Sequence, residues 1–181
     1  GLVDGNYGSS TSTTGAFTMN TSYTNSGGWN NSHMRKTVLG SNSASATSPA
    51  ANTLLAALPA DLRAVMKPAT KYSDNTGGVH DTASYVTATQ DLLPLLSEFE
   101  YFGVRTYANS AEKNYQAQYD YYKAGNSKVH YKHNATGTAA HVWCRSVNSG
   151  NSSIFCLVYT DGGAYNGSAT GSWALAPCFF V

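Results

Sequence analysis

Residues 141–181, HVWCRSVNSGNSSIFCLVYTDGGAYNGSATGSWALAPCFFV, alternate short frame elements with clusters of small polar residues and tyrosine. The frame is Trp143, Arg145-Ser146, Phe155-Cys156, Val158, Asp161-Gly162, Ala176-Pro177 and Phe179-Phe180-Val181. β-Branched and aromatic residues divided by Asn, Ser and Gly predict short strands joined by tight loops, since those small residues supply turn geometry. The filler also has the make-up of an adaptable contact surface: Tyr offers rigid amphipathic area, and Ser, Gly and Asn offer hydrogen bonds at low bulk. The chain contains sixteen Lys, Glu, Gln or Met residues, and none of them falls in residues 133–181.

The chain has 181 residues, enough for one domain with a real core. Charged residues make up only 12 %, about half the usual share, and the net charge is +1. No basic stripe exists, which disfavours nucleic-acid binding. The surface is instead covered by Ser, Thr, Asn, Gly and Tyr, as expected outside a cell. No apolar run approaches the length of a membrane span, and no signal peptide is visible. Cys144, Cys156 and Cys178 are odd in number and lack C-x-x-C spacing, which argues for free, buried or half-buried thiols over a disulfide framework or zinc site.

The upstream part predicts helices. Residues 1–28 are Gly/Ser/Thr/Asn-rich and read as loops, short edge strands and an initial linker. Asn31-Ser32 caps a helix over His33–Leu39. Ser48-Pro49 opens a helix with Leu54, Leu55 and Leu58 on one face, Pro59-Ala60-Asp61 restarts a second, and Pro68 stops it. Residues 70–90 read as a strand, a loop at Asn75–Gly78 and a return strand. Leu92–Leu96 reads as a buried strand or turn. Ser97-x-x-Glu100 is a capping box and Gly103 its terminator. Ser110 caps a helix to Ala124 with Tyr115, Tyr119 and Tyr122 on one face. Helices first and strands last make the class α+β.

Catalytic and metal signatures are weak. His80-Asp81 are neighbours that point apart on a strand and suit a turn. Glu98 and Glu100 resemble paired carboxylates, but Glu100 already has a capping role. His130-x-x-His133 lacks a nearby carboxylate or Cys and is flanked by Lys128 and Lys132, which repel a cation. Calcium needs six to eight oxygens, and the C-terminal region offers only Asp161. No G-x-S-x-G, P-loop, H-E-x-x-H or Rossmann fingerprint occurs. No cofactor is expected. Trp143 reads as core, Arg145 as a fork for loop carbonyls or a carboxylate, Asp161-Gly162 as a tight turn, and Pro177 to Val181 as a terminal strand.

The string W-x-R-S, F-C-x-V, D-G and A-P-x-F-F-V resembles the variable region of diversity-generating retroelement target proteins. Upstream, GGWNNSHMR at 27–35, LPADLRAVM at 58–66 and LLSEFEYFG at 95–103 are similar to an uncharacterised domain of gut bacteria and their phages. Cys144 departs from the Leu usual before the Arg, and Trp173 cannot arise from the AAC codons such elements rewrite. The rewriting never yields Lys, Glu, Gln, Met or Trp, in keeping with the missing residue types. The resemblance implies a C-type-lectin-like (formylglycine-generating-enzyme-like) fold. It places an N-terminal extension at 1–19 and one ligand-binding domain at 20–181, with 141–181 variable. The implied contact residues are Val147, Asn148, Ser149, Asn151, Ser153, Ile154, Leu157, Tyr159, Tyr165, Asn166, Ser168 and Thr170. The implied partner is a protein or glycan on a host or neighbouring cell, with the bearer a phage virion or bacterial surface structure. A homo-oligomer within that assembly is compatible. The residues alone leave open a structural spacer without a ligand, and an enzyme ranks third.

Overall fold

The computed structural model describes residues 17–132 and 135–181. Most of the expected N-terminal extension, and His133 of the histidine pair, lie outside the described residues. Helices here are one or two turns long: α1 (Gly28–Asn31), α2 (Leu54–Ala57), α3 (Ala60–Val65), α4 (Glu98–Phe102) and α5 (Asp120–Lys123). Segments this short cannot persist alone and depend on tertiary contacts. Their ends follow local chemistry. In α4 the Ser97 hydroxyl accepts from Glu100 N, the Glu100 carboxylate accepts from Ser97 N, and Gly103 closes the helix at φ 72°. In α2 the cap is Thr53.

Three expected helices differ. Ser48-Pro49 opens no helix: residues 48–53 are turn and loop, Asn52 takes a left-handed backbone (φ 61°), and the helix begins only at Leu54 under the Thr53 cap. His33–Leu39 forms a π-helical turn, Met34–Val38, and Ser32 Oγ accepts from Arg35 N as expected of a cap (3.1 Å). The helix expected over Ser110–Ala124 is broken into a 3-10 turn (Ser110–Asn114), an extended stretch and α5. The cap of the first piece is Asn109, one residue earlier than expected. Tertiary demands override the tyrosine spacing: Tyr115 stacks on Tyr72 with centroids 4.3 Å apart, while Tyr119 N bonds to Glu100 O. The pieces meet partners that one straight helix cannot reach together.

Among the described residues the strands form three small antiparallel sheets. β1 (Ala69–Asp74) pairs with β2 (Val86–Asp91), β3 (His130–Lys132) with β4 (Ala135–Ala140), and β5 (Val142–Val147), β6 (Ile154–Val158) and β7 (Ala164–Ser168) lie in that order. The fold is therefore α+β, with short helices and small antiparallel sheets. Pro177–Val181 is not a strand. Its regular pairing is one bridge between Phe180 and Lys67, and Phe179, Phe180 and Val181 remain exposed.

The β5–β6 pair is buried on both faces, and the two-residue period sorts its side chains between two cores. Trp143, Phe155 and Leu157 face Trp29, Met34, Leu39, Leu55 and Leu175. Cys144, Cys156 and Val158 face Leu96, Phe99 and Tyr101. Met19 is also fully buried in the first core, and Trp143 Nε1 donates to Phe17 O (2.9 Å), so residues 17–19 pack with the domain. The cysteines are free, with Cys144 and Cys156 buried and Cys178 half-buried.

Candidate functional site

The frame residue Arg145 occupies the centre of a buried ionic network. Its guanidinium donates to Ser73 Oγ (2.9 Å), to Leu95 O (2.8 Å) and to the Glu100 carboxylate. Lys71 Nζ approaches the other Glu100 oxygen at 2.8 Å and donates to Tyr119 OH. Burial alone would raise the Glu100 pKa, but the charges and hydrogen bonds of Arg145 and Lys71 override it and hold the carboxyl at about 2. Glu112 has the opposite balance. Burial raises it to about 7, although Ser146 Oγ and Asp74 N both donate to it. Glu98 accepts from the backbone N–H groups of Thr106, Tyr107 and Ala108. These carboxylates are fully engaged in holding loops, and both Glu98 and Glu100 are almost completely buried. Neither is placed to meet a substrate. Asp81 likewise accepts from Ser110 N and pairs with Arg105.

The expected contact residues divide into two groups. Val147, Asn148, Ser149, Ser153 and Leu157 are buried. A display surface running through them is corrected by their packing. Val147 and Leu157 belong to the first core. The 148–153 loop is tied to itself and to the domain. Asn148 Oδ1 accepts from Gly150 N, and Asn151 Oδ1 accepts from Ser153 N. Asn25 Nδ2 donates to the carbonyls of Asn151 (2.7 Å) and Ile154 (3.0 Å), and Arg105 donates to Ser149 Oγ. Asn, Ser and Gly here perform turn chemistry. Asn151 and Ile154 are half-buried.

The second group gathers around β7, the edge of its sheet. Tyr159, Tyr165 and Thr170 are exposed, and Asn166 and Ser168 are half-buried. Tyr165 lies opposite Leu157 in the register, and Tyr159 follows β6 at the tight turn where Asp161 Oδ1 accepts from Gly163 N. Two residues absent from the expected contact set complete a row of rings. Trp173 lies 4.7 Å from His141, His141 4.5 Å from Tyr159, and Tyr159 4.9 Å from Tyr165, all between centroids. His141 meets Tyr159 edge-to-face at 74°, as the ring quadrupole favours, and the other two pairs are tilted by 49° and 59°. Burial lowers the His141 pKa, which favours a neutral ring.

Glycine makes room for the tryptophan. A Cβ at Gly167 would lie 2.9 Å from Trp173 Nε1 and 3.0 Å from Leu157 Cδ2, and one at Gly171 would lie 2.8 Å from the same indole nitrogen. That nitrogen is shielded and has no hydrogen-bond partner among the described residues. Trp173 lies outside the expected contact residues because its size reads as frame and not as variable filler. His141 gave no sequence signal, because only folding brings it beside Tyr159. A separate shallow hollow of about 300 Å³ is lined by Asn20, Thr24, Asn31, His33 and Lys36 among others, but Lys36 Nζ is already bound to Asn31 Oδ1 (2.7 Å). Among the described residues no cluster of three or more His, Cys, Asp or Glu is placed to hold a metal ion, and no helix is long and apolar enough to cross a membrane.

An α+β domain with a clasped hairpin loop and an exposed aromatic sheet edge is the class these features define. The family model described as "Domain of unknown function (DUF6273)" matches residues 11–181, and the chain belongs to that family. No curated protein and no solved structure matches the chain.

Proposed function

We propose that this domain is a non-enzymatic recognition module with a C-type-lectin-like arrangement, and that it binds a molecule on a cell surface through the edge of β7. The observation that carries the reading is the row Trp173–His141–Tyr159–Tyr165, in which both tyrosines are exposed despite their large apolar area. Exposed aromatics grouped beside small polar residues form the kind of patch from which binding hot spots are drawn. The sequence resemblance to retroelement-diversified proteins supports the same end of the molecule. Tyr165, Asn166, Ser168 and Thr170 can vary there without disturbing the two cores. The setting proposed is a phage virion or bacterial surface structure outside the cell, with monomeric or oligomeric display.

The test is binding of the fluorescently labelled chain to intact gut-bacterial and host epithelial cells, measured by flow cytometry against the Tyr159→Ala/Tyr165→Ala double variant. Saturable binding that falls by about 10-fold or more in the folded double variant is expected. Equal binding by both proteins refutes the assigned surface. Sequencing codons 140–175 together with any neighbouring near-copy tests the diversification itself: substitutions confined to template adenines are expected.

A further inference from the structure

We infer that the ligand of this aromatic edge is a neutral saccharide. The inference rests on the recognition reading above and adds the chemical class of its partner. Three observations select that class. First, the four rings touch in series instead of enclosing a space, since successive centroids are only 4.5–4.9 Å apart. A cage for a cationic group needs ring faces set around a gap. A touching row instead leaves its two exposed rings, Tyr159 and Tyr165, as a shallow strip of adjacent aromatic surface. Pyranose rings suit such a strip, because their C–H bonds carry partial positive charge and pack against the negative face of an aromatic ring.

Second, the segment that carries the strip exposes no cation. The charged side chains in 141–181 are Arg145 and Asp161. Arg145 is fully buried on Glu100, and Asp161 is an exposed anion in the turn after Tyr159, which repels acidic ligands. A protein-binding patch is normally enriched in arginine, and an anionic ligand would require a cation here. Third, the polar groups beside the rings are hydroxyls and one amide: Ser168, Thr170 and Asn166. Ser168 Oγ and Thr170 Oγ1 are 3.0 Å apart at the exposed turn. Hydroxyl pairs and amides each donate and accept, matching the dual character of sugar hydroxyls.

The experiment uses neutral hexasaccharides of glucose, galactose, mannose and N-acetylglucosamine as probes, with titration calorimetry and tryptophan fluorescence as readouts. At least one probe should bind and shift the fluorescence. Tyr165→Ala should weaken that binding by about 10-fold or more, and Tyr165→Phe, which keeps the ring, by no more than about 3-fold. Both variants should melt like the parent, since Tyr165 is exposed. In parallel, cells that bind the labelled chain are treated with periodate, which cleaves vicinal diols, or with protease. Loss of binding after periodate but not protease supports the inference. Loss after protease alone overturns the saccharide while leaving recognition by this edge intact. No binding by any hexasaccharide at millimolar concentration also overturns it. If the double tyrosine variant binds untreated cells as well as the parent does, the recognition reading itself fails.

Discussion

Glu100→Gln probes the ionic centre that holds the platform together. The substitution keeps the shape but removes the charge facing Arg145 and Lys71, both buried. Breaking a buried ion pair from one side costs about 3–5 kcal/mol, because the remaining cation is left uncompensated. The proton equilibrium gives a similar figure. A pKa held at about 2 against an ordinary value of 4.5 corresponds to about 3 kcal/mol. The sign is that of a depressed acid: the stabilisation is complete above the unfolded value of 4.5 and is lost as pH falls toward 2. Urea or guanidinium unfolding of parent and variant should therefore differ by about 3 kcal/mol at pH 7, and the difference should shrink by about 2 kcal/mol at pH 3. Other titrating groups occur in both proteins and largely cancel in the comparison. A difference under about 1 kcal/mol at pH 7, or one that does not change with pH, refutes the assignment of Glu100 as the counter-charge of the centre.

Glu112 should behave in the opposite sense. Its folded pKa of about 7 exceeds the ordinary value of 4.5, so it favours folding at low pH and its contribution is lost as pH rises from 4.5 through 7. The melting temperature of Glu112→Gln relative to the parent should rise between pH 5 and pH 8, and a flat difference would count against the raised pKa. Libraries randomised at 165, 166, 168 and 170 should stay mostly folded, whereas including Val147, Ser153, Leu157 or Gly167 should leave few soluble, cooperatively melting members; a proteolysis screen reads this directly, and equal survival of both libraries defeats the division. Trp143→Ala should cost about 3–5 kcal/mol against about 0.5 kcal/mol or less for Tyr159→Ala. Burial raises the pKa of all three thiols, so they should react with a disulfide reagent far more slowly in the native protein than in denaturant, with Cys178 the fastest; rapid native labelling of Cys144 would contradict its burial.

The capping box at Ser97 and Glu100, the stop at Gly103, the turn at Asp161-Gly162 and the β1–β2 hairpin were legible because their causes lie within a few residues of chain. Trp143 and Arg145 were legible by type: a large ring amid apolar neighbours belongs inside, and a fork of donors there must find acceptors. The surface was harder to read. Asn148, Ser149 and Ser153 have the composition of exposed filler, yet Asn25 and Arg105, far away in sequence, clasp their loop. Tyr115, Tyr119 and Tyr122 have helical spacing, yet Tyr72, Glu100 and Lys71 draw them apart.

The sequence by itself determined the α+β class, the start and stop of the helix at Ser97 and Gly103, and the burial of Trp143, Arg145, Phe155 and Cys156, since these follow from caps, turn residues and two-residue alternation. Only the tertiary structure decided which polar residues are inside and which aromatics stand in a row. Both depend on contacts between segments distant in the chain. Asn25 must reach the 148–153 loop, and Gly167 and Gly171 must leave room for Trp173 before His141, Tyr159 and Tyr165 can line up beside it.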